Sequence, residues 1–478
     1  MTFAAFIAIL PIILTAGASV AVMLGIAFER SHAQTVRLSL IGLGLAILSL
    51  PIAGLLAPIQ ATPLIIIDDY ALFFIGLILS TGVVVTLLFS DYFGQGDSED
   101  EEIYLLLLTA VLGAVVLVAS RHFATLFLGL ETMSVSLFAM IAYTVRKEMA
   151  LESGVKYLIL SGVSSGFLLF GSALVYAELG TFEFDQMSVL ADSANWSPMV
   201  IVGLTMAVSG LAFKLSLVPF HLWTSDVYQG APAPVTAFVA TVSKGAIFAL
   251  LLRYFVSADA LHNFPVVIVF TILALLSILV GNLLALLQDD LKRLFAYSSI
   301  AHMGYLLIPF VAGAVIGKQL LIESVAFYLV AYFITTLGAF GMISALSNAD
   351  REFTHIEDLK GLFWEKPLLA AAFTTMLLSL AGIPLTAGFI AKFYIFASGV
   401  QGAMWLLIFT LVLGSGIGLY YYLRVVMVMM KSPDTSSEPA EPRQIAQSGQ
   451  LVLVGLMLLL IYLGVNPGPL TEVITGLG

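Results

Sequence analysis

Apolar residues run along nearly the whole chain in long stretches, and short polar or Gly/Pro-rich connectors separate them. A helix needs about 20 apolar residues to cross a bilayer. By this criterion we predict fourteen spans, which begin near residues 3, 36, 70, 103, 122, 152, 199, 232, 264, 294, 320, 368, 402 and 449. The pattern indicates an all-α polytopic membrane protein that forms a single membrane domain over residues 1–478, without a separate soluble domain.

Composition supports this class and excludes others. Hydrophobic residues make up 60% of the chain and charged residues only 10%, whereas soluble domains carry about 25% charged residues. The chain has no cysteine, which excludes disulfides, iron–sulfur ligation and cysteine-based zinc sites. Its six histidines are scattered, and it shows no glycine-rich nucleotide-binding motif. We therefore expect no metal or redox cofactor on this chain, and its net charge of -11 gives no indication of nucleic-acid binding.

Basic residues indicate how the predicted helices are oriented, because lysine and arginine collect on the cytoplasmic side of a membrane. With the N-terminus outside, only Arg121, Arg253 and Lys318 fall on the outer side. The cytoplasmic connectors and helix ends then hold thirteen: Arg30, Arg37, Arg146, Lys147, Lys156, Lys292, Arg293, Arg351, Lys360, Lys366, Arg424, Lys431 and Arg443. We therefore expect a bacterial inner-membrane protein with both termini on the periplasmic side.

Four charged residues lie within predicted spans: Glu131, Lys214, Lys244 and Lys392. A charge at the centre of a membrane helix costs about 2.5–3.5 kcal/mol on the insertion scale. A static Glu–Lys pair that holds helices together explains Glu131 and one lysine, but it leaves two lysines without a role. Burial disfavours charged lysine and a nearby carboxylate favours it, so these residues are candidates for proton translocation.

Helix-breaking residues lie beside two of these lysines. Pro219 cannot donate the helical hydrogen bond to the carbonyl of Leu215, which predicts a break just after Lys214. Gly382, Pro384 and Gly388 predict a second break shortly before Lys392. Such breaks also occur as packing kinks, but beside buried charge they resemble the discontinuous helices of ion-coupled transporters.

The two broken helices are the seventh and the twelfth, which suggests two inverted five-helix repeats. The first would cover helices 4–8 (residues 103–256) and the second helices 9–13 (residues 264–430). Helices 1–3 (residues 1–95) would precede them and helix 14 (residues 449–468) would follow them.

Other polar residues within the spans are weaker candidates. His302 lies among Ser298, Ser299 and Tyr305, and a neutral imidazole can relay protons or simply satisfy a structural hydrogen bond. Lys156 is a candidate entrance relay near a helix end. The serines of "LILSGVSSGF" are interpreted as small residues that let the sixth helix pack closely.

Several motifs resemble a known family: "FLGLETMSVSLFAMIAY", "FKLSLVPFHLWTSDVYQGAPAPVTAFVATVSKGAIFALLLR", "LLQDDLKRLFAYSSIAHMGY" and "GIPLTAGFIAKFYIF". They are similar to the antiporter-like subunit N family of proton-pumping NADH:quinone oxidoreductase, respiratory complex I. The resemblance covers essentially the whole chain. Lys392 in the twelfth helix differs from the glutamate expected of the sister subunit M, and the chain lacks the lateral helix expected of subunit L. Gln229 and Ser225 depart from the family pattern in a loop.

The resemblance implies a fold and a function. The fold is a fourteen-helix bundle of inverted repeats, in which Glu131 and Lys214 form a coupling pair, Lys244 a central relay and Lys392 a distal gate. NADH, FMN, iron–sulfur clusters and quinone are then expected on partner subunits. The expected partners are the lipid bilayer, the antiporter-like subunit M and small membrane subunits. A subunit of a cation/proton antiporter or membrane-bound hydrogenase, or a scaffold that does not pump, remains an alternative.

Overall fold

The protein was analysed as a computed structural model. It describes residues 2–94, 100–145, 147–191, 196–258, 260–262, 264–347, 352–432 and 447–477. Arg146, Arg351 and Arg443, which the charge asymmetry assigns to the cytoplasmic side, lie outside the described residues, as do residues 96–99 of the acidic loop.

The described chain is almost entirely helical, as its hydrophobic pattern predicts. The first half contains α1 (Phe3–Ala8), α2 (Leu10–Phe28), α3 (His32–Leu48), α4 (Leu50–Gly54), α5 (Asp69–Phe93), α6 (Glu102–Val118), α7 (Phe123–Ile141), α8 (Glu148–Leu179), α9 (Pro198–Lys214) and α10 (Leu222–Gly230). The second half contains α11 (Ala233–Phe238), α12 (Lys244–Ser257), α13 (Phe264–Leu286), α14 (Leu291–Leu346), α15 (Leu362–Glu365), α16 (Pro367–Ala381), α17 (Ala387–Gln401), α18 (Trp405–Met430), α19 (Gln447–Val465) and α20 (Gly468–Thr475).

Ten helical segments in the described residues are long and apolar enough to cross a membrane, and α6, α9 and α16 are shorter apolar helices. Many large apolar side chains on α2, α3, α8 and α18 are exposed in the isolated chain. Such surfaces are suited to lipid or to neighbouring membrane subunits. The protein is therefore an all-helical, multi-pass membrane protein.

The core of the bundle is formed by two long segments. The segment Ala233–Ser257 is buried from Ala233 to Leu252, and α14 is buried over most of its 56 residues. Gly317 has a φ of 80° and interrupts the helical geometry of α14, so α14 divides there into two parts. The central segment is itself irregular, because a π-helical turn at Val239–Ser243 joins α11 to α12.

One feature was not predicted from the sequence. A short antiparallel hairpin, β1 (Ile59–Thr62) and β2 (Ile65–Ile67), precedes α5. The segment lies just before the span predicted to begin near residue 70, and Pro58 and Pro63 disfavour a continuous helix there.

Candidate functional site

Lys214 is the last residue of α9, and its side chain is only 2% exposed. Its Nζ donates hydrogen bonds to Ser134 Oγ at 2.9 Å and to Ser161 Oγ at 2.6 Å. Gly210 brings α9 close to α8, because a Cβ there would lie 2.8 Å from the Ser164 carbonyl oxygen. The close approach of these two helices therefore places the lysine against hydroxyl groups.

The helix is interrupted directly after Lys214. Ser216 has a φ of 61°, a left-handed conformation that is uncommon outside glycine. Pro219 lies within the interruption, and α10 begins at Leu222. Trp223 Nε1 donates to the Phe213 carbonyl at 3.0 Å, so a side chain satisfies one of the carbonyls at this helix end.

Glu131 lies on α7 and contacts α8 rather than α9. Ser165 Oγ donates to its carboxylate at 2.5 Å. The described contacts include no ion pair between Glu131 and Lys214, but the carboxylate is close enough to act electrostatically on the lysine. Ser161 and Ser165 are four residues apart and share one face of α8. Each contacts one of the two charged groups, so α8 hydroxyls lie between them.

These contacts correct the interpretation of the α8 serines as packing residues. Ser164 does fit that description, since its Oγ donates to the Gly210 carbonyl at 2.9 Å across the α8–α9 contact. Ser161 and Ser165 instead bind the charged side chains. Small size and hydrogen-bonding capacity are both properties of serine, and the sequence alone did not separate them.

Lys244 follows the π-helical turn of the central segment and is 1% exposed. Its Nζ donates to Ser299 Oγ at 2.7 Å, and that hydroxyl shares a hydrogen bond with Tyr332 Oη at 2.6 Å. The ammonium also lies 5.3 Å from the centroid of the Tyr228 ring, a distance suited to a cation–π contact. Lys244 is thus connected to α14 by the hydroxyls of Ser299 and Tyr332, and to α10 by the Tyr228 ring.

His302 lies on α14 and is buried. Its Nδ1 is 2.7 Å from Tyr328 Oη and its Nε2 is 3.4 Å from Tyr422 Oη. The charges that act on the ring are those of Lys392 and Lys244. The imidazole is therefore near both buried lysines, and it lines one cavity together with Lys392.

Lys392 lies on α17, which is the part of the second interrupted helix that follows the break. Its Nζ donates to the Ala381 carbonyl, the last residue of α16, at 2.9 Å. Gly382 has a φ of 85°, and a Cβ there would lie 2.7 Å from Lys392 Cδ, so any larger residue would collide with the lysine. Pro384 and then Leu385, with a φ of 70°, complete the interruption before α17 begins.

Two small cavities connect this region. One, of about 10 Å³, is lined by residues including His302, Tyr332 and Lys392. The other has a similar volume and is lined by residues including Ser299 and Tyr332. Each is close to the size needed for one water molecule, and both are bordered by polar groups. Tyr332 borders both cavities, so it joins the surroundings of Lys244 to those of Lys392.

Lys156 lies outside this connected set. Its ammonium is 2.6 Å from Glu152 and 2.9 Å from Asp226, and its side chain is 41% exposed. Asp226 is also 3.0 Å from the Arg293 guanidinium. These contacts form an ion-pair network on α8, α10 and α14.

The principal side chains missed by sequence reasoning are hydroxyls. They are Ser134, Ser161, Ser165, Tyr228, Tyr328, Tyr332 and Tyr422. Two pairs, Ser161 with Ser165 and Tyr328 with Tyr332, have the four-residue spacing of one helix face. A four-residue spacing of hydroxyl residues within an apolar span is the sequence signal that could have identified these two pairs. Hydropathy alone does not show it, because serine and tyrosine change the mean hydropathy of a span only slightly.

Comparison with known proteins gives the class of this fold and site. Residues 120–418 match the family described as NADH:quinone oxidoreductase/Mrp antiporter, transmembrane. Solved structures show the same fold. A chain of respiratory complex I from Thermus thermophilus with bound aureothin is 32% identical, with a TM-score of 0.82 over 98% of this chain and 100% of that one. A chain of the archaeal membrane-bound sulfane sulfur reductase is 25% identical, with a TM-score of 0.85 over 98% of this chain and 96% of that one. The fold is therefore that of the antiporter-like membrane subunits.

Curated relatives narrow this class to one family. NADH-quinone oxidoreductase subunit N of Methylococcus capsulatus is 51% identical over 472 residues, which cover 99% of this chain and 95% of that protein. The subunit N of Ectopseudomonas mendocina is 45% identical over 477 residues, which cover 98% and 95%. The chain belongs to the NADH-quinone oxidoreductase subunit N family.

Proposed function

We propose that this chain is a proton-translocating membrane-arm subunit of NADH:quinone oxidoreductase, coupled to NADH-to-quinone electron transfer on other subunits. The observation that carries the proposal is the series of buried lysines, Lys214, Lys244 and Lys392, each held by a hydroxyl or carbonyl oxygen inside the bundle. A chain that only held the membrane arm together would have no need for three buried amines, since buried charges are costly.

The coupling end of the path is Glu131 with Lys214. A hydroxyl both donates and accepts hydrogen bonds, so Ser161 and Ser165 link the two charged groups without locking them in a direct ion pair. A conformational change that moves the carboxylate toward or away from Lys214 then changes how tightly the lysine holds its proton. Since interior charges are poorly screened, that change acts on Lys244 as well.

The distal part of the path runs from Lys244 to Lys392. Ser299 and Tyr332 begin it, and His302 lies beyond them with one unprotonated ring nitrogen that can accept a proton in the neutral form. Water in the two small cavities completes the connection to Lys392. The lysine's bond to the Ala381 carbonyl holds it at the helix interruption, where a small backbone movement opens or closes this end.

We further propose fourteen membrane helices arranged as two inverted repeats, residues 103–256 and 264–430, between helices 1–3 (residues 1–95) and helix 14 (residues 449–468). Ten long apolar segments, one more from the division of α14 at Gly317, and three shorter apolar helices support that number. Each repeat contains one interrupted helix with a buried lysine and a non-glycine residue of positive φ, Ser216 or Leu385. An even number of crossings places both termini on one side, which the charge asymmetry indicates is the periplasmic side.

The redox chemistry is assigned to partners. NADH, FMN, iron–sulfur clusters and quinone would bind other subunits, and this chain would contact subunit M and small membrane subunits within a bacterial inner membrane. The solved relative at 32% identity belongs to a respiratory complex I, which supports assembly of this kind. The exposed apolar faces of the isolated chain are suited to such contacts.

The test is proton pumping by the assembled enzyme in sealed vesicles, measured as protons moved per NADH oxidised. Lys214→Ala and Glu131→Ala should each lower this ratio, and Lys431→Ala, a substitution of an exposed lysine, should leave it unchanged. Full coupling in both interior variants would overturn the mechanism. If Lys392→Ala alone retained full coupling, only the assignment of Lys392 as the distal gate would be refuted.

The same measurement separates the alternatives. A scaffold predicts that the lysine variants reduce the amount of assembled enzyme but leave the ratio of the assembled fraction unchanged. A cation/proton antiporter predicts sodium-dependent transport in the absence of NADH.

A further inference from the structure

A separate cavity lies at the opposite end of several helices from the Lys156 network. Its volume is about 150 Å³, far larger than the cavities beside the lysine series. Its charged lining residues are Asp68, Arg121, Asp185, Arg253 and Lys318. They come from five connectors or helix ends that are distant in sequence, so the cavity exists only in the folded bundle.

The three basic residues of this cavity all belong to one side of the membrane in the predicted topology. Arg121, Arg253 and Lys318 are the same three that the charge asymmetry assigns to the side of the membrane poor in basic residues. These residues are far apart in the sequence, so only the tertiary fold brings them to one cavity. The chain has a net charge of -11, yet its cavity lining contains three cations and two carboxylates.

Asp68 and Asp185 accept hydrogen bonds from the two arginines of the cavity, but they do not occupy all of the arginine donors. Asp68 accepts from both terminal nitrogens of Arg253, at 2.7 and 2.8 Å. Burial by itself raises the pKa of Asp68, but the hydrogen bonds and charge of Arg253 outweigh burial and hold that pKa below its usual value. Arg121 Nη2 is 2.8 Å from Asp185, and 3.8 Å from Glu183.

Both arginines retain a buried Nε–H group without an acceptor among the described residues. The Arg253 side chain is only 9% exposed and that of Arg121 only 15% exposed. An unsatisfied buried donor costs about 1–3 kcal/mol. Lys318, on the rim beside the kink at Gly317, is exposed and makes none of the described hydrogen bonds. Two arginine Nε–H groups and the Lys318 ammonium group thus have no acceptor among the described residues, and all three residues line the cavity.

Most of the remaining lining is apolar and includes Ile66, Ile322 and Leu477, while Tyr70 and Ser257 add hydroxyl-bearing side chains. A wall of this kind beside cationic donors suits a ligand with an anionic head and an apolar body. Arginine is suited to phosphate as well as to carboxylate, because its planar donors match the oxygens of either group. The position at the ends of membrane helices is also the depth at which lipid headgroups lie.

We propose that this cavity binds a phosphate-bearing anion, with the phosphate near Arg121, Arg253 and Lys318. An anionic phospholipid of the surrounding leaflet and free phosphate share this chemistry. The site is separate from the lysine series, and its failure would leave the proposed pumping mechanism intact.

The test uses the purified assembled enzyme after delipidation, with thermal stability as the readout. Phosphatidylglycerol, phosphatidylcholine and inorganic phosphate are titrated separately. Protection by phosphatidylglycerol alone identifies a lipid ligand, and equal protection by inorganic phosphate identifies a free anion; both support the site. Protection by neither, or equal protection by phosphatidylcholine, overturns the proposal.

Substitutions of residues that line the cavity test whether the anion binds there. Lys318→Gln removes an exposed cation without disturbing a described contact, and Arg121→Gln removes a mostly buried cation together with its ion pairs to Asp185 and Glu183. Each should weaken the protective effect, raising the half-effective ligand concentration about threefold or more for a lost charge-assisted contact. Lys431→Gln, an exposed lysine outside the cavity lining, is the matched control. Unchanged protection in both cavity variants would also overturn the proposal.

Discussion

At the scale of single residues, Lys214 and Lys244 are held by hydroxyls rather than by opposite charges. Lys214 contacts two serines and Lys244 contacts one. A direct buried ion pair would hold both partners in their charged states. Hydroxyl contacts satisfy the ammonium group and still accept a neutral amine, so either protonation state can exist at the same position.

This view gives a prediction for Ser299, whose hydroxyl connects Lys244 to Tyr332. Ser299→Ala leaves a buried ammonium with one hydrogen bond fewer, at a cost of about 1–3 kcal/mol. If that cost falls on the limiting proton transfer, pumping should slow about fivefold or more.

The measurement is proton uptake in vesicles at matched NADH oxidation. Ser209→Ala provides the control, because Ser209 is half-buried and its one hydrogen bond among the described contacts is donated to the Thr205 carbonyl of its own helix. Equal pumping by the two variants would show that the Ser299 hydroxyl has no part in the path.

At the scale of elements, the interrupted helices are held in place by contacts at their ends. Lys292 at the start of α14 is fully buried and binds Glu352 at 2.8 Å and the Ala231 carbonyl at 2.6 Å. Glu352 also accepts from the Ala233 N–H at 2.9 Å and from Tyr92 Oη at 2.7 Å. One buried pair therefore ties α5, the α10–α11 connector, α14 and the connector after α14 together.

Removal of Glu352 is expected to loosen this junction. Glu352→Gln leaves Lys292 as a buried charge without its ionic partner, which costs about 3–5 kcal/mol. Glu357→Gln breaks an exposed pair with Lys431 and should cost at most about 1 kcal/mol. Thermal unfolding of the purified enzyme measures both, and equal midpoints for the two variants would refute the role of the junction.

The same pair predicts a pH dependence. Burial acts to raise the pKa of Glu352, but the charge and hydrogen bond of Lys292 outweigh it and lower that pKa below the ordinary 4.5. The stabilisation is therefore complete above about pH 4.5 and is lost as the pH falls through the folded-state pKa. Thermal midpoints of the wild type should fall over this acidic range more steeply than those of Glu352→Gln, and parallel curves would contradict the assignment.

At the scale of the whole molecule, the arrangement of helices determines which connectors share a side of the membrane. Lys318 lies at the kink of α14, and Lys431 follows α18. Three predicted crossings separate them: the second part of α14, the interrupted α16–α17 helix, and α18. An odd number places the two lysines on opposite sides.

The absence of native cysteine makes this topology directly testable. Lys318→Cys and Lys431→Cys should react with a membrane-impermeant maleimide from opposite sides, Lys431→Cys from the cytoplasm. The unsubstituted chain is the control for background labelling. Labelling of both positions from the same side would require a different number of helices between them.

The sequence by itself determined the membrane class, the helical fold and the intramembrane charges, because a bilayer requires long apolar helices and makes each buried charge conspicuous. It also predicted where α9 ends and where α16 ends, since proline and glycine act on their own helix. Only the tertiary structure decided which groups meet. The hydroxyl partners of Lys214 and Lys244 and the residues of the basic cavity come from helices far apart in sequence. The π-helical turn before Lys244 is another tertiary outcome, because all five of its residues are buried and their packing decides the local geometry.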